Sequence, residues 1–214
     1  MTSKMSMVGL TAASLFAAQF TATFTPAAQA AEPVANPLSA QIGVGLLTDS
    51  DARRATNNAG IHAGIGFQLS NPSLLSPVNG KPSIDVDYNS NTGHGNHVNV
   101  LGLSYTERVA LGAPAESGGA RPYVGLGIGA YHTDLRASVT TTTTTQTGGS
   151  SGTPGSTVTT TTTKTESKSK WNLGGKVLAG VEFGKTFVEA SYIISGSTEG
   201  VRSDSANLAI GMHF

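Results

Sequence analysis

The residues able to do chemistry in this chain are few and thinly spread. Asp85-x-Asp87-x-Asn89-x-Asn91 sets four oxygen-bearing side chains at alternate positions, which superficially matches a calcium loop. Such a loop needs glycine at its sixth position and glutamate at its twelfth, because the chain must turn sharply and then close on a bidentate carboxylate. Here those positions hold Ser90 and Asn96, so the match is weak, and the segment reads plainly as strand-to-loop with every second residue facing the interior. His94 and His97 have the spacing of metal ligands but lie in a Gly/Asn-rich stretch without an evident third ligand. Gly125-x-Gly127-x-Gly129 is followed by no helical pattern, so a phosphate-cradling loop lacks its context. His132 is followed by Thr133 and Asp134, and Ser195 has no clear histidine neighbour. With no nucleophile, base and orienting group in one set, an enzyme is not expected, and neither is a metal or other cofactor.

What positions these residues is an alternation of period two, the mark of strands with one apolar face. The apolar sets are Ile42, Val44, Leu46; then Ile61, Ala63, Ile65, Phe67, Leu69; then Ile84, Val86, Tyr88; then Leu101, Leu103, Tyr105. They continue as Val124, Leu126, Ile128, Ala130; then Trp171, Leu173, Val177, Ala179, Val181, Phe183; then Val188, Ala190, Tyr192, Ile194; and finally Leu208, Ile210, Met212, Phe214. The pattern predicts eight strands. Val98 and Val100 fall in the opposite phase to Leu101, which points to either a bulge or a misread phase in the fourth.

The faces opposite these sets carry glycine, small polar groups and a few charges. Only 12% of the residues are charged, while 27 of the 214 are glycine. A soluble sandwich or an exported lipocalin-type barrel needs a charged exterior, which this composition supplies poorly. Apolar positions turned toward lipid around a polar lumen fit better. At ~3.3 Å per residue and a ~40° tilt, ten-residue runs cover about 25 Å, the height of an outer-membrane apolar band. The expected fold is all-β: an eight-stranded antiparallel transmembrane β-barrel, an up-and-down meander. Its lumen would be just wide enough to be filled by side chains. Lys176, Glu182 and Glu189, with Arg108 and His62, fall on the lumen side and are expected to pair there, because a low-dielectric wall penalises a lone charge.

Connection lengths suggest an orientation with both ends of the barrel on one side. The outward loops are then Thr48–Asn58, Asn89–Asn96, Thr133–Lys170 and Gly196–Ser205; the inward turns are Ser70–Pro82, Gly112–Pro122 and Gly184-Lys185. Phe67, Phe183 and Phe214 fall at inward ends and Tyr88 and Trp171 at outward ends, and with Tyr192 they form the expected interface aromatics. The loop 133–170 holds two threonine runs, Thr140–Thr145 and Thr159–Thr163, around a Gly/Ser/Pro centre. Threonine favours extended backbone, so the runs read either as hairpin arms with a mobile tip or as a disordered low-complexity loop. Opposing Asp134 and Arg136 to Lys168 and Glu166 would demand a bulge.

Lys4 is the only charge before Glu32. An apolar centre follows it, then Ala28-Gln29-Ala30. That sequence of features predicts a secretory signal over residues 1–30, cleaved after Ala30, with Ala28 and Ala30 as the small cleavage-site residues. Residues 31–37 would form a short leading segment and 38–214 the barrel. The 13 basic residues equal the 13 acidic ones, which speaks against nucleic acid as a partner.

The C-terminal run Leu208-x-Ile210-x-Met212-x-Phe214 resembles the terminal strand recognised by the barrel-assembly machinery of double-membraned bacteria. Arg121–Tyr131, Ala179–Phe183 and Glu189–Tyr192 are similar to strands of the small OmpA/OmpX-like outer membrane protein beta-barrel domain family. The resemblance extends in pattern over residues 38–214. It implies a monomer in the outer membrane, contacting its lipids and lipopolysaccharide, with a structural or surface-interaction role. An OmpW-like barrel passing small apolar solutes is the alternative. Some small barrels of this kind modify lipid A with serine and histidine near the rim, but this chain lacks that pairing. The family carries no catalytic residue across to it.

Overall fold

The computed structural model describes residues 36–71, 73–75, 80–111, 119–147 and 156–214. The expected export signal with Ala28 and Ala30, most of the inward turn 112–118 and the tip 148–155 of the long loop lie outside them. The elements in chain order are β1 (Leu38–Leu47), α1 (Ser50–Ala55), β2 (Ala59–Gln68), β3 (Gly80–Gly93), β4 (Asn96–Ala110), β5 (Ala120–Thr147), β6 (Ser156–Phe183), β7 (Thr186–Ile194), the short β8 (Ser197–Thr198) and β9 (Val201–Arg202), and β10 (Ser205–His213).

Each barrel strand pairs antiparallel with its chain neighbour, and β1 closes on β10, so no barrel edge is left open. The pairing also fixes the stagger. From Leu38 the paired residues run through Phe67, Ile84, Tyr105, Ile128 and Gly175 to Ile194; one residue back, Ile193 continues through Ser205 to Leu47. Leu47 lies nine residues beyond Leu38, and the one-residue step makes the closing stagger ten. Eight strands staggered by ten residues tilt about 40° from the barrel axis.

The apolar side chains face out. Leu173 is 89% exposed and Ile128 73%, and Ile42, Ile61, Leu208 and Ile210 are about as exposed as one another at 60–62%. A soluble barrel of lipocalin type would bury these residues; this one turns them away from its axis.

Two expectations about β3 and β4 need correction. The fourth strand has no bulge: β3 and β4 keep one register from Gly80↔Val109 to Gly93↔Asn96. Val98 and Val100 point inward, 4% and 2% exposed, in phase with Ser104 and Thr106, while Leu101 and Leu103 face out. An apolar residue inside the barrel had broken the pattern without breaking the strand. Secondly, Asn89–Asn96 is not a loop. The hairpin closes on His94 and Gly95 alone, both left-handed (φ 53° and 78°), the geometry that matches strand twist in a two-residue turn.

The threonine runs belong to the wall strands themselves. β5 and β6 pair without interruption from Ala120↔Phe183 to Thr147↔Ser156, so the arms form a ribbon continuing the barrel outward. The charges of the two arms are not set opposite one another: without a bulge, Asp134 lies opposite Ser169 and Arg136 opposite Ser167. Asp134 instead accepts from Ser167 Oγ (3.1 Å) and pairs with Arg136 on its own strand (3.4 Å).

Candidate functional site

The interior is built from alternate residues of the barrel strands and is polar at its centre. Asp85 and Asp87 enter from β3, Arg108 from β4, Lys176 from β6 and Glu189 from β7. Lys176 Nζ donates to Asp87 Oδ2 at 3.0 Å and Asp85 Oδ2 at 3.3 Å, and Glu189 Oε1 is 4.0 Å away. Arg108 donates from Nη2 to Asp85 Oδ2 at 2.9 Å and from Nε to Glu189 Oε2 at 3.0 Å. Tyr123 donates its hydroxyl to Glu189 Oε2 at 3.1 Å, and Ser83 Oγ donates to Asp85 Oδ1 at 2.8 Å. Three carboxylates thus share two cations. His62, fully buried on β2, holds Asn89 Oδ1 at 3.0 Å through Nδ1 and keeps Nε2 3.9 Å from Asp87.

Of the lumen residues expected from sequence, Lys176, Glu189, Arg108 and His62 come together in this network. Glu182 does not. It sits at the inward mouth, where Lys81 Nζ donates to it at 2.9 Å and His213 Nε2 lies at 3.5 Å. Asp85 and Asp87 were the residues to add. Their alternate spacing, a weak calcium-loop match on a segment that reads as strand with every second residue facing the lumen, is the spacing that aims two carboxylates at one ammonium across a barrel.

Apolar layers lie above the charges. Val100, Tyr131 and Ile193 pack together, and beyond them Leu47, Ala52 and Val98 form a second cluster with Leu135 and Val201. Ala52 comes from α1, which opens on Asp49: its side chain accepts from Asp51 N and Ala52 N, both at 2.9 Å. Thr56 Oγ1 returns to Ala52 O at 3.0 Å, so the short helix is pinned as a cap over the outer mouth. Asp204 ties the neighbouring loop down, accepting from Ser195 N at 3.0 Å and Arg202 Nε at 2.9 Å. Beside Asp85, Asp87 and Arg108 the remaining space is about 10 Å³, close to the least that admits one water.

The outer wall carries the expected aromatics. Phe67, Phe183, Phe214, Tyr88 and Trp171 are all 41–60% exposed, and Tyr192 is half-buried. Phe67 pairs with Leu38, and Phe214 N donates to Leu38 O at 2.8 Å, so both lie at one end of the wall. Tyr88 and Trp171 end the apolar face of their strands at the other; Ser90 and Thr92 follow the first, and Ser169 precedes the second. Trp171 also packs on His132, with ring centroids 4.9 Å apart. The terminal set Leu208, Ile210, Met212 and Phe214 faces outward along β10 and the residue after it.

One acidic residue on the outer face was not anticipated. Glu107 lies between the inward-facing Thr106 and Arg108 and yet is 3% exposed. The segment Ser73–Leu75 folds over it: Ser73 Oγ donates at 2.7 Å, Leu74 N at 2.9 Å, Leu75 N at 2.7 Å, and the Tyr105 hydroxyl at 2.6 Å. A carboxylate on an apolar wall is thereby satisfied with no ion pair among the described residues, while Leu74 and Leu75 replace it on the surface.

A closed barrel of eight strands, apolar outside and filled with paired charges, defines the class: a small transmembrane-type β-barrel. No protein-family model and no curated protein matches the chain. Among solved structures it is similar in fold to the crystal structure of Neisserial surface protein A, with a TM-score of 0.54 at 13% identity over 82% of this chain and 94% of that one. The N-terminal β-barrel domain of Pseudomonas aeruginosa OprF aligns with a TM-score of 0.41 at 15% identity, over 84% of this chain and 98% of that one.

Proposed function

We propose that the chain is an integral outer-membrane barrel with a structural and surface-interacting role, and that its lumen is not a conduit. The observation that carries this reading is the filled interior, in which the Lys176 and Arg108 network is overlain by two apolar layers. An aqueous path would have to break several buried ion pairs, each costing several kcal/mol to leave uncompensated. Passage of small apolar solutes would meet charge at the centre. The exposed apolar wall supports a lipid environment. Lys168 and Lys170, just beyond Trp171, supply cations where lipopolysaccharide phosphates would lie.

The export signal with Ala28 and Ala30, and recognition of the Leu208–Phe214 pattern by the barrel-assembly machinery, complete the proposal. Within its own membrane the barrel acts as a monomer with no cofactor. Cell fractionation with unheated and heated gel samples tests it: the protein should sediment with outer membranes, migrate faster unheated, and begin at Ala31. Recovery of unheated protein in detergent-free buffer would overturn the reading. Purified protein in planar bilayers should give no steady conductance; regular open steps would transfer it to the transport class.

A further inference from the structure

The ribbon formed by the outer parts of β5 and β6 has two uncovered edges, and they differ in kind. Pairing of β5 with β4 stops at Arg136, and pairing of β6 with β7 begins only at Gly175. The lower β6 edge is guarded: Lys164, Glu166, Lys168 and Lys170 put a charge at every second position, and Lys164 pairs with Glu166 at 3.2 Å, whereas Ser156–Thr163 farther out carries no charge. Charges of this kind discourage strand addition. From Ala137 to Thr147 the β5 edge has no charge, no proline and no glycine.

The backbone phase identifies which groups that edge offers. Leu111 N donates to Pro122 O at 2.8 Å, so even-numbered residues of β5 turn their polar groups toward β4. Ser138, the next even position past the ladder, still finds a partner: its N donates to Asn96 Oδ1 at 2.8 Å. Beyond it Thr140, Thr142, Thr144 and Gln146 turn N–H and C=O to a side that no described strand covers. An uncovered run of this length is a template for another strand.

We infer that the β5 edge pairs with the β5 edge of a second copy of this chain, antiparallel, joining two apposed cell surfaces. This rests on the proposal that the ribbon projects from an outer membrane. With Thr140 opposite Gln146, self-pairing sets Thr141–Thr145 against one another and opposes no like charges. Threonine pairs across strands are favourable, and Thr140 and Thr163 already show one, with hydroxyls 3.2 Å apart. Direction selects the geometry. In one membrane every β5 runs outward, so two copies side by side would have to pair in parallel; antiparallel pairing requires copies that face each other. Seven residues, Thr140 to Gln146, at ~3.4 Å give an overlap of roughly 24 Å.

The experiment reconstitutes the full barrel into vesicles labelled with donor or acceptor dye, the ribbon's outward exposure being checked by added protease. Vesicles carrying protein on both sides should cluster and transfer energy, whereas protein vesicles mixed with bare lipid should not. The variant Thr142→Pro/Thr144→Pro removes two edge N–H groups without touching the β5–β6 ladder, and should lower clustering at least tenfold. Thr142→Lys/Thr144→Lys, which keeps every N–H but charges the edge, should lower it similarly. Dispersed wild-type vesicles, clustering with bare lipid, or undiminished clustering by both variants would overturn the inference. Heat-modifiable mobility of the same samples reports the barrel independently, so failure of this inference is distinguishable from failure of the membrane proposal.

Discussion

Lys176 of β6 and Asp87 of β3 meet at 3.0 Å although two strands separate them in the wall, and their side chains are 0% and 2% exposed. The pair is a strut across the barrel. Ladder hydrogen bonds hold each strand to its neighbours; this contact holds opposite sides of the cylinder at a set distance.

Removing the ammonium alone should be costly. Lys176→Met leaves Asp85, Asp87 and Glu189 to share Arg108, and a stranded buried charge typically costs about 3–5 kcal/mol. Urea unfolding in micelles, followed by gel mobility, should show a loss of that order. Lys176→Met/Asp87→Leu should recover much of it, because it removes the orphaned partner too. A loss below about 1 kcal/mol for the single variant would show that the strut contributes little.

The outer wall predicts the opposite sensitivity at the next residue along. Val177 and Leu126 face out, 45% and 43% exposed. Val177→Arg or Leu126→Arg should destabilise the barrel in lipid by ~2–4 kcal/mol near the midplane. Measured by reversible unfolding from vesicles, a neutral result would mean that this face meets water.

Tyr131 lies in a slot between two strands. A Cβ on Gly102 would fall 2.5 Å from its Cε1, and one on Gly174 would fall 2.7 Å from its Cδ2. Gly102→Val should therefore push the ring out of the apolar layer, at about 1–3 kcal/mol for overpacking. Gly102→Val/Tyr131→Ala should fold better than Gly102→Val. Equal midpoints for the two would place the clash elsewhere.

The Glu107 clasp is testable by proteolysis. Glu107→Ala removes the acceptor of four hydrogen bonds and should release the Ser73–Leu75 segment. A protease added to micelles should then cut near Leu74 and Leu75 at least tenfold faster than in the parent protein. Unchanged cleavage would show that the carboxylate does not hold the segment.

How much of this was legible in the sequence follows the physics of alternation. Outward residues declare themselves, since lipid demands apolar side chains at every second position; the strands, the closure implied by their number and the facing of Leu208–Phe214 could all be read. The interior declares itself less, because it tolerates both kinds of residue. Val98, Val100, Tyr131 and Ile193 fill it as well as Asp87 and Lys176 do, so an apolar inward residue looked like a fault in the strand. Pairing across the lumen joins residues far apart in the chain, and nothing local links Asp85 to Lys176. Glu182 shared the phase of Lys176 but lies six residues farther down β6, which places it at the mouth. Glu107 was illegible because two of its four donors are backbone N–H groups, which leave no mark in composition, and a third is the hydroxyl of Ser73, more than thirty residues away in the chain.

The unbroken β5–β6 register has a consequence for how such a chain can change. Thr140–Thr144 face Thr163–Thr159 one to one, so duplicating a residue in each arm restores an equivalent ladder and leaves every position below Arg136 where it was. Each such doubling raises the tip by ~3.4 Å. The stature of the ribbon above the barrel is therefore adjustable in small increments by expansion or contraction of a monotonous tract, independently of everything that seals and steadies the cylinder beneath it.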